Sequence, residues 1–458
     1  MQNNRLNIII LAAGKGKRMH THQPKVLHQI GGKPMLEHVI NCANALNPHK
    51  VVVVYGYGGE QVKAAFSDQK IIWAEQAEQL GTGHAVQQAL PHLDEEGQTL
   101  ILLGDVPLIS QAACQNILNQ ADQQLMIQSF DKSNPAGYGR IVRQAGTVSA
   151  IVEEKDATAE QRTITEVNTG IMAMPTAKLR HWLSQLTNHN AQQEYYLTDI
   201  VGIAVADQTV VNAEKTNDEW SVTGINSKQD LAFIERVYQQ REAEKLMQKG
   251  VTLLDPARID LRGVLHTEKD VHIDVGCIFE GKVTLGEGVR IGAYCVIKNA
   301  QIAAGTNIAP FSHIEAATIG QNSKVGPYAR IRPGTVLNDE THVGNFVELK
   351  NAQVDTGSKI NHLSYIGDAT VGKNVNIGAG TITCNYDGAN NFKTVIEDNV
   401  FVGSDSQLVA PVTIGKGSTI AAGSTITKDT PEDALTLCRA REQKSISGWK
   451  RPVKTKKD

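Results

Sequence analysis

A period of six in the second half of the chain constrains its fold more than any other feature. Ile273, Phe279, Leu285, Ile291 and Ile297 stand six apart. So do Ile319, Val325, Ile331, Leu337, Val343 and Leu349, and again Val402, Leu408, Ile414, Ile420 and Ile426. Six is neither the 3.6 of a helix nor the 2 of a long strand. It fits one short strand and one turn per step, with one inward aliphatic side chain stacked on its equivalents above and below. Small residues follow the aliphatic one, as in Leu285-Gly286, Ile291-Gly292, Val325-Gly326 and Ile414-Gly415, where the turn needs backbone freedom. The phase slips between runs, from Ile314 to Ile319 and from Ile366 to Val371. The longest interruption, Asn385 to Asn399, is expected to be a loop projecting from a solenoid.

The first half follows another rule. Apolar runs at Asn7 to Leu11, Val51 to Tyr55 and Leu100 to Leu103 alternate with amphipathic stretches and end in turns bearing Gly or Asp. That pattern predicts a mostly parallel, Rossmann-like α/β sheet with helices on both faces and a ligand crevice at the carboxyl ends of its strands. Between the halves, Leu231, Ile234, Val237, Tyr238, Leu246 and Met247 predict one long helix, Gln229 to Gly250, ended by the glycine. The expected domains are 1–226, a connecting helix at 227–250, and 251–458.

At 458 residues the chain has room for two or three such domains, each with its own core. Its 45 basic and 48 acidic residues leave a formal charge of -3, which gives no bulk attraction to nucleic acid or to a membrane surface. No apolar run is long enough to span a bilayer. The six cysteines form no CxxC pair, as expected of reduced thiols, and with Met1 to Asn4 running directly into a strand-like stretch no signal peptide is expected. The expected compartment is the cytoplasm.

Directly after the first strand comes Leu11-Ala12-Ala13-Gly14-Lys15-Gly16-Lys17-Arg18-Met19, then Pro24-Lys25. Glycines let the backbone approach a phosphate chain, and Arg18 and Lys25 can neutralise charge building on a pyrophosphate leaving group. The spacing is neither a Walker loop nor the dinucleotide fingerprint. Asp105 ends the apolar strand Leu100 to Leu103, where an open α/β sheet presents ligands.

This string resembles the sugar-nucleotide pyrophosphorylase signature LAAGxGxRM…PK. The likeness runs on through Gln76, Gly81-Thr82-Gly83-His84-Ala85, Leu103-Gly104-Asp105, Gly137-Tyr138-Gly139-Arg140, Val152-Glu153-Glu154-Lys155, Asn168-Thr169-Gly170 and Gly224-Ile225-Asn226. The resemblance implies Asp105 and Asn226 as protein ligands of Mg²⁺. It implies Leu11, Ala12, Ala13, Gly14, Lys25, Gln76, Gly81 and Thr82 around a uridine nucleotide (UTP as co-substrate), with Leu103 and Gly104 beside them. Gly139, Glu153 and Asn168 would then hold the sugar.

In the second half, Asn361-His362-Leu363-Ser364-Tyr365 sets a histidine beside a tyrosine, and Lys350 follows Arg332 by 18 residues, three hexapeptides. Two cations stacked on one face repel unless an anion lies near, and a sugar phosphate would supply that charge. With Asn376-Ile377-Gly378-Ala379-Gly380 and Thr383-Cys384-Asn385-Tyr386, both halves in order resemble the bifunctional N-acetylglucosamine-1-phosphate uridylyltransferase/glucosamine-1-phosphate N-acetyltransferases. That resemblance implies His362 as general base. It puts Arg332, Lys350, Tyr365 and Asn376 on the amino-sugar phosphate. Ala379, Asn385, Tyr386, Ser404, Ala422 and Arg439 would contact acetyl-CoA. It also implies a left-handed parallel β-helix and a homotrimer. The alternatives are a solenoid serving only as an oligomerisation or regulatory module, and a zinc lyase, which needs three convergent histidines. The basic stretch 450–457 reads as a solvated tail.

Overall fold

The computed structural model describes residues 5–439 together with 445, 447 and 449. The chain divides into two compact units, Met1–Tyr238 and Gln239–Asp458. The tail at 450–457 and the segment 440–442 lie outside the described residues.

In the first unit, nine of the described strands form one sheet: β1 (Leu6–Ala12), β2 (Lys50–Tyr55), β3 (Ile72–Glu75), β4 (Gln98–Leu103), β5 (Leu125–Asp131), β6 (Arg140–Gln144), β7 (Thr147–Val152), β8 (Glu166–Pro175) and β9 (Val211–Lys215). Their order is β9-β5-β8-β4-β1-β2-β3, with the β6–β7 hairpin joined to β8. β1 lies parallel to both neighbours, Ile8 facing Val51 and Leu100. Only β8 among these main strands runs antiparallel, to β4 and β5.

Successive side chains on a strand point to opposite faces, so the unbroken apolar run Ile8-Ile9-Ile10 requires cover on both sides. Ile8 and Ile10 pack with Leu36, Val39 and Ile40 of helix α1 (Met35–Ala45). Ile9 packs on the other face with Ala85, Val86 and Ala89 of helix α2 (Thr82–Ala89). The carboxyl ends of β1 and β4 therefore open on one edge of a sheet held rigid from both sides.

Helix α3 runs Lys228–Gln248, close to the expected bounds, and Gly250 beyond it takes φ +91°. Its first half belongs to unit one: Ile234 is buried with Ile30, Met35 and Ile225, and the Tyr238 ring covers Gly31 so closely that no Cβ would fit. Its second half belongs to unit two. Ala243 and Leu246 join the solenoid core, and the buried Gln239 amide bonds both backbone groups of Leu261, at 2.7 and 2.8 Å.

Most of the described solenoid coils have three short strands, the first two having a short strand and one long strand (Ile259–Thr267 or Cys277–Leu285), and all pair in parallel with the coils above and below. Every aliphatic residue in the three six-spaced runs is buried, none more than 3% exposed. The phase slips have one cause. Arg330 pairs with His313, 17 residues back, but with Glu348, 18 residues on. In the shorter coils one corner is made by a single non-glycine residue in the left-handed region: Asn299, Ala316, Asn351 or Asp368, all at φ +44° to +49°. The interruption is a lengthened coil, in which Ala369 pairs with Thr394 and a small bridge joins Tyr386 to Asn391.

Candidate active sites

In unit one, ten of the expected residues line one cavity of about 310 Å³: Leu11, Ala12, Ala13, Gly14, Lys25, Gln76, Gly81, Thr82, Leu103 and Asp105. The local causes are visible. Gly104 N donates to Leu11 O at 2.9 Å, locking the ends of β1 and β4 together. The buried Gln76 donates to Gly81 O at 3.0 Å, fixing the turn that starts α2. Gly81 takes φ +113°, and a Cβ there would strike the Tyr195 backbone. Ala85, in the stretch Gly81 to Ala85, also lines the cavity, as do Val26, Gln79 and Glu194, which carried no distinguishing pattern in the sequence.

Asp105 and Asn226 converge. Ile225 N donates to Asp105 O at 3.0 Å, and Asp230 accepts from the Asn226 and Ser227 amides at 2.9 Å each, capping α3. The Lys25 ammonium donates to Asp105 Oδ2 and, at 3.1 Å, to Asn226 Oδ1. Two hard oxygen donors thus already face one cationic group, and that donor set fits Mg²⁺. No group of three or more His, Cys, Asp or Glu converges among the described residues. A divalent ion here would take its remaining ligands from water and phosphate.

Gly139, Glu153 and Asn168 form a neighbouring group. Asn168 N donates to Gly139 O at 2.9 Å, and a Cβ at Gly139 would stand 3.4 Å from Glu153 Oε1. Loss of water holds the Glu153 carboxyl above its ordinary range, with Asp199 and Asp156 adding to this and a hydrogen bond from Thr198 at 2.9 Å opposing it. Arg18 sits exposed on the short turn Lys17–Met19 and does not line the cavity.

In unit two, the register puts Arg332 opposite Lys350, as the 18-residue spacing predicts. Anions do lie near the two cations, and two of them are carboxylates of the chain itself. Arg332 bonds Glu348 at 2.9 Å, and Lys350 lies 3.4 Å from Asp368. Asp368 also accepts from Asn351 at 2.8 Å and from Asn385 at 2.5 Å. Burial opposes its ionisation, but these bonds and Lys350 outweigh burial and hold its carboxyl below the usual range.

His362 ends the strand Lys359–His362, exposed, with Nδ1 at 2.8 Å from Asn345 Oδ1 one coil earlier. An amide oxygen only accepts, so Nδ1 carries the hydrogen, and in the neutral imidazole that leaves the lone pair on Nε2. Asn345 was missed; its 17-residue offset was the only signal. Tyr365 begins the next strand, and its hydroxyl covers Gly367. Asn376 lies on the same sheet as the His362 strand, paired with Lys359 one coil earlier. Ala379, Ser404 and Ala422 stack at the same position of three successive coils, and Arg439 donates to Ala422 O at 2.8 and 3.1 Å. Tyr386 stands 62% exposed on the long coil beside Asn385.

Residues 8–165 match the MobA-like NTP transferase domain, 261–354 the GMPPB C-terminal domain, and 393–428 the bacterial transferase hexapeptide with six repeats. The chain is 65% identical to the bifunctional protein GlmU of Methylobacillus flagellatus, over 99% of both chains. Likeness to that of Nitrosospira multiformis is 59%, over 99% of both. The chain belongs to the bifunctional GlmU family. The GlmU of Chromobacterium violaceum is 56% identical over 98% of this chain and 99% of its own. Membership makes the chain a bifunctional transferase, with a nucleotidyltransferase in the first unit and a hexapeptide acetyltransferase in the second; uridylyl and acetyl transfer are the two activities that fit these domains. All six cysteines are free thiols, and no described helix is long and apolar enough to cross a membrane.

Proposed function

We propose that the two units carry out consecutive steps of UDP-N-acetylglucosamine synthesis. The His362 site moves an acetyl group from acetyl-CoA to glucosamine-1-phosphate. The Lys25 site then joins N-acetylglucosamine-1-phosphate to UTP and releases pyrophosphate. The observation that carries this reading is the gathering of ten expected residues around one cavity in one unit, while His362 and its orienting amide stand in the other.

In the acetyl step, the sugar amine attacks the thioester carbon and passes its proton to Nε2 of His362. The C–S bond breaks and the departing thiolate takes that proton from Nε2, leaving as the CoA thiol and restoring the neutral imidazole. Asn345 holds the ring so that Nε2 faces the substrate. Arg332 and Lys350 attract the phosphate, tempered by Glu348 and Asp368, while Tyr365 and Asn376 complete the sugar side. Ala379, Asn385, Tyr386, Ser404, Ala422 and Arg439 line the path of the coenzyme.

In the uridylyl step, a sugar-phosphate oxygen attacks the α-phosphorus of UTP in line, a reaction that needs positioning and charge neutralisation rather than covalent help. Leu11 to Gly14, Gln76, Gly81 and Thr82 hold the nucleotide; Gly139, Glu153 and Asn168 orient the sugar. Lys25 and Arg18 offset charge on the departing pyrophosphate. Asp105 and Asn226 would hold Mg²⁺, which when bound supplies positive charge to the phosphates.

A homotrimer fits an exposed ladder at one solenoid corner. Tyr294, Phe311, Tyr328 and Phe346 stack at 5.0–5.5 Å, each about half exposed, and an apolar strip of this kind is readily buried by a second copy. The domain limits of 1–226 and 251–458 and a cytoplasmic location complete the reading. A coupled assay with glucosamine-1-phosphate, acetyl-CoA, UTP and Mg²⁺, following free thiol and pyrophosphate separately, tests it. Release of neither product would sink it.

A further inference from the structure

Lys25 occupies an unusual place for a phosphate-binding lysine. Its ammonium makes two hydrogen bonds, one to each of the oxygens assigned to the metal, Asp105 Oδ2 and Asn226 Oδ1. Both partners of the ion pair are largely shielded, with Lys25 and Asp105 side chains 11% and 19% exposed. A carboxylate so placed needs a cation, since leaving it unpaired is costly. The ammonium already sits on Oδ2 of Asp105 and Oδ1 of Asn226, and a divalent ion brought to those same two oxygens would repel it strongly in a site shielded from water.

We propose that the Lys25 ammonium is a displaceable occupant of the divalent-cation position. It holds Asp105 and Asn226 together until a divalent ion enters and drives it into the cavity, where a polyphosphate is its next partner. The proposal rests on the reading of Asp105 and Asn226 as metal ligands. It makes metal and nucleotide binding mutually supportive: phosphates that draw Lys25 away free the carboxylate, and by linkage the metal frees Lys25 for the phosphates. Without nucleotide, the ammonium keeps metal affinity low.

The test uses full-length, metal-free protein titrated with Mn²⁺ and no nucleotide, following the electron paramagnetic resonance of the free ion. Lys25→Met is expected to bind Mn²⁺ at least about tenfold more tightly than the wild type, since a competing unit charge is gone. Asp105→Asn is expected to lose the site. Equal or weaker binding by Lys25→Met, with binding lost in Asp105→Asn, overturns the displacement and leaves the metal ligands standing. Unchanged binding in Asp105→Asn removes the ligand assignment and the proposal together. A second measurement needs no variant: trace acylation of wild-type lysines, read by mass spectrometry, should label Lys25 severalfold more in Mg²⁺ than without it. Labelling that stays level or falls overturns the proposal.

Discussion

Asn345 Oδ1 lies 2.8 Å from Nδ1 of His362, and the two residues pair across neighbouring coils of the solenoid. The amide thus chooses the tautomer of the imidazole and aims its second nitrogen outward. Removing His362 as alanine should lower acetyl transfer by roughly 10²–10⁴-fold while uridylyl transfer survives. Asn345→Ala should cost roughly tenfold or more in kcat for acetyl transfer, with the solenoid intact by circular dichroism. Normal acetylation by His362→Ala would remove the base assignment.

Asp105→Asn keeps the shape of the carboxylate and removes its charge. Uridylyl transfer should fall and its Mg²⁺ dependence should weaken, while thiol release by the second unit is untouched. A magnesium titration of pyrophosphate release that superimposes on the wild type would take Asp105 out of the site.

Glu153 gives a pH signature. Its carboxyl binds a proton more tightly folded than unfolded, mainly because burial disfavours the anion. Its contribution therefore favours the fold below the ordinary glutamate range, about 4.3, and is lost as pH rises through the raised value. Glu153→Gln should accordingly gain in Tm over the wild type as pH climbs, with the difference closing in acid. Sugar-dependent uridylyl transfer should fall at every pH. A Tm difference independent of pH would refute the assignment.

Asp368 behaves oppositely. Burial opposes its charge, but Asn351, Asn385 and Lys350 more than compensate, so the folded carboxyl binds its proton less tightly than the unfolded one. Its stabilisation is present above the ordinary aspartate range, about 3.9, and is lost as pH falls through the lowered value. Asp368→Ala should cost about 1–3 kcal/mol at neutral pH, fading in acid, by denaturant unfolding at several pH values. It should also raise KM for the sugar phosphate, since Lys350 loses its anchor.

Cutting between Tyr238 and Gln239 divides α3 where its packing changes, Ile234 facing one core and Ala243 the other. Each fragment should retain its own transfer activity. Two folded but inert fragments would contradict the assignment of one chemistry to each unit.

Much of this is legible in the order of residues alone. The six-residue period marks the inward stack, because each coil repeats one local conformation and its buried position recurs at a fixed interval. The nucleotide cavity is legible for a similar reason: Leu11 to Gly14, Gln76, Gly81 and Leu103 sit at strand ends or in the turns beside them, where a parallel sheet opens to ligand. Val26, Gln79 and Glu194 line the same cavity without a pattern, since a side chain can reach a cavity from any passing segment.

By itself, then, the sequence determined two architectures and the positions of their phosphate-gripping turns, since both follow from spacing along the chain. It could not determine partners. Lys25 meets Asp105 across 80 residues and Asn226 across 201. Asn345 finds His362, and Asp368 finds Lys350, only because a corner of one residue or two sets each coil at 17 or 18. Those contacts neutralise the charges and orient the ring, and they exist only once the coils are stacked and the strands aligned.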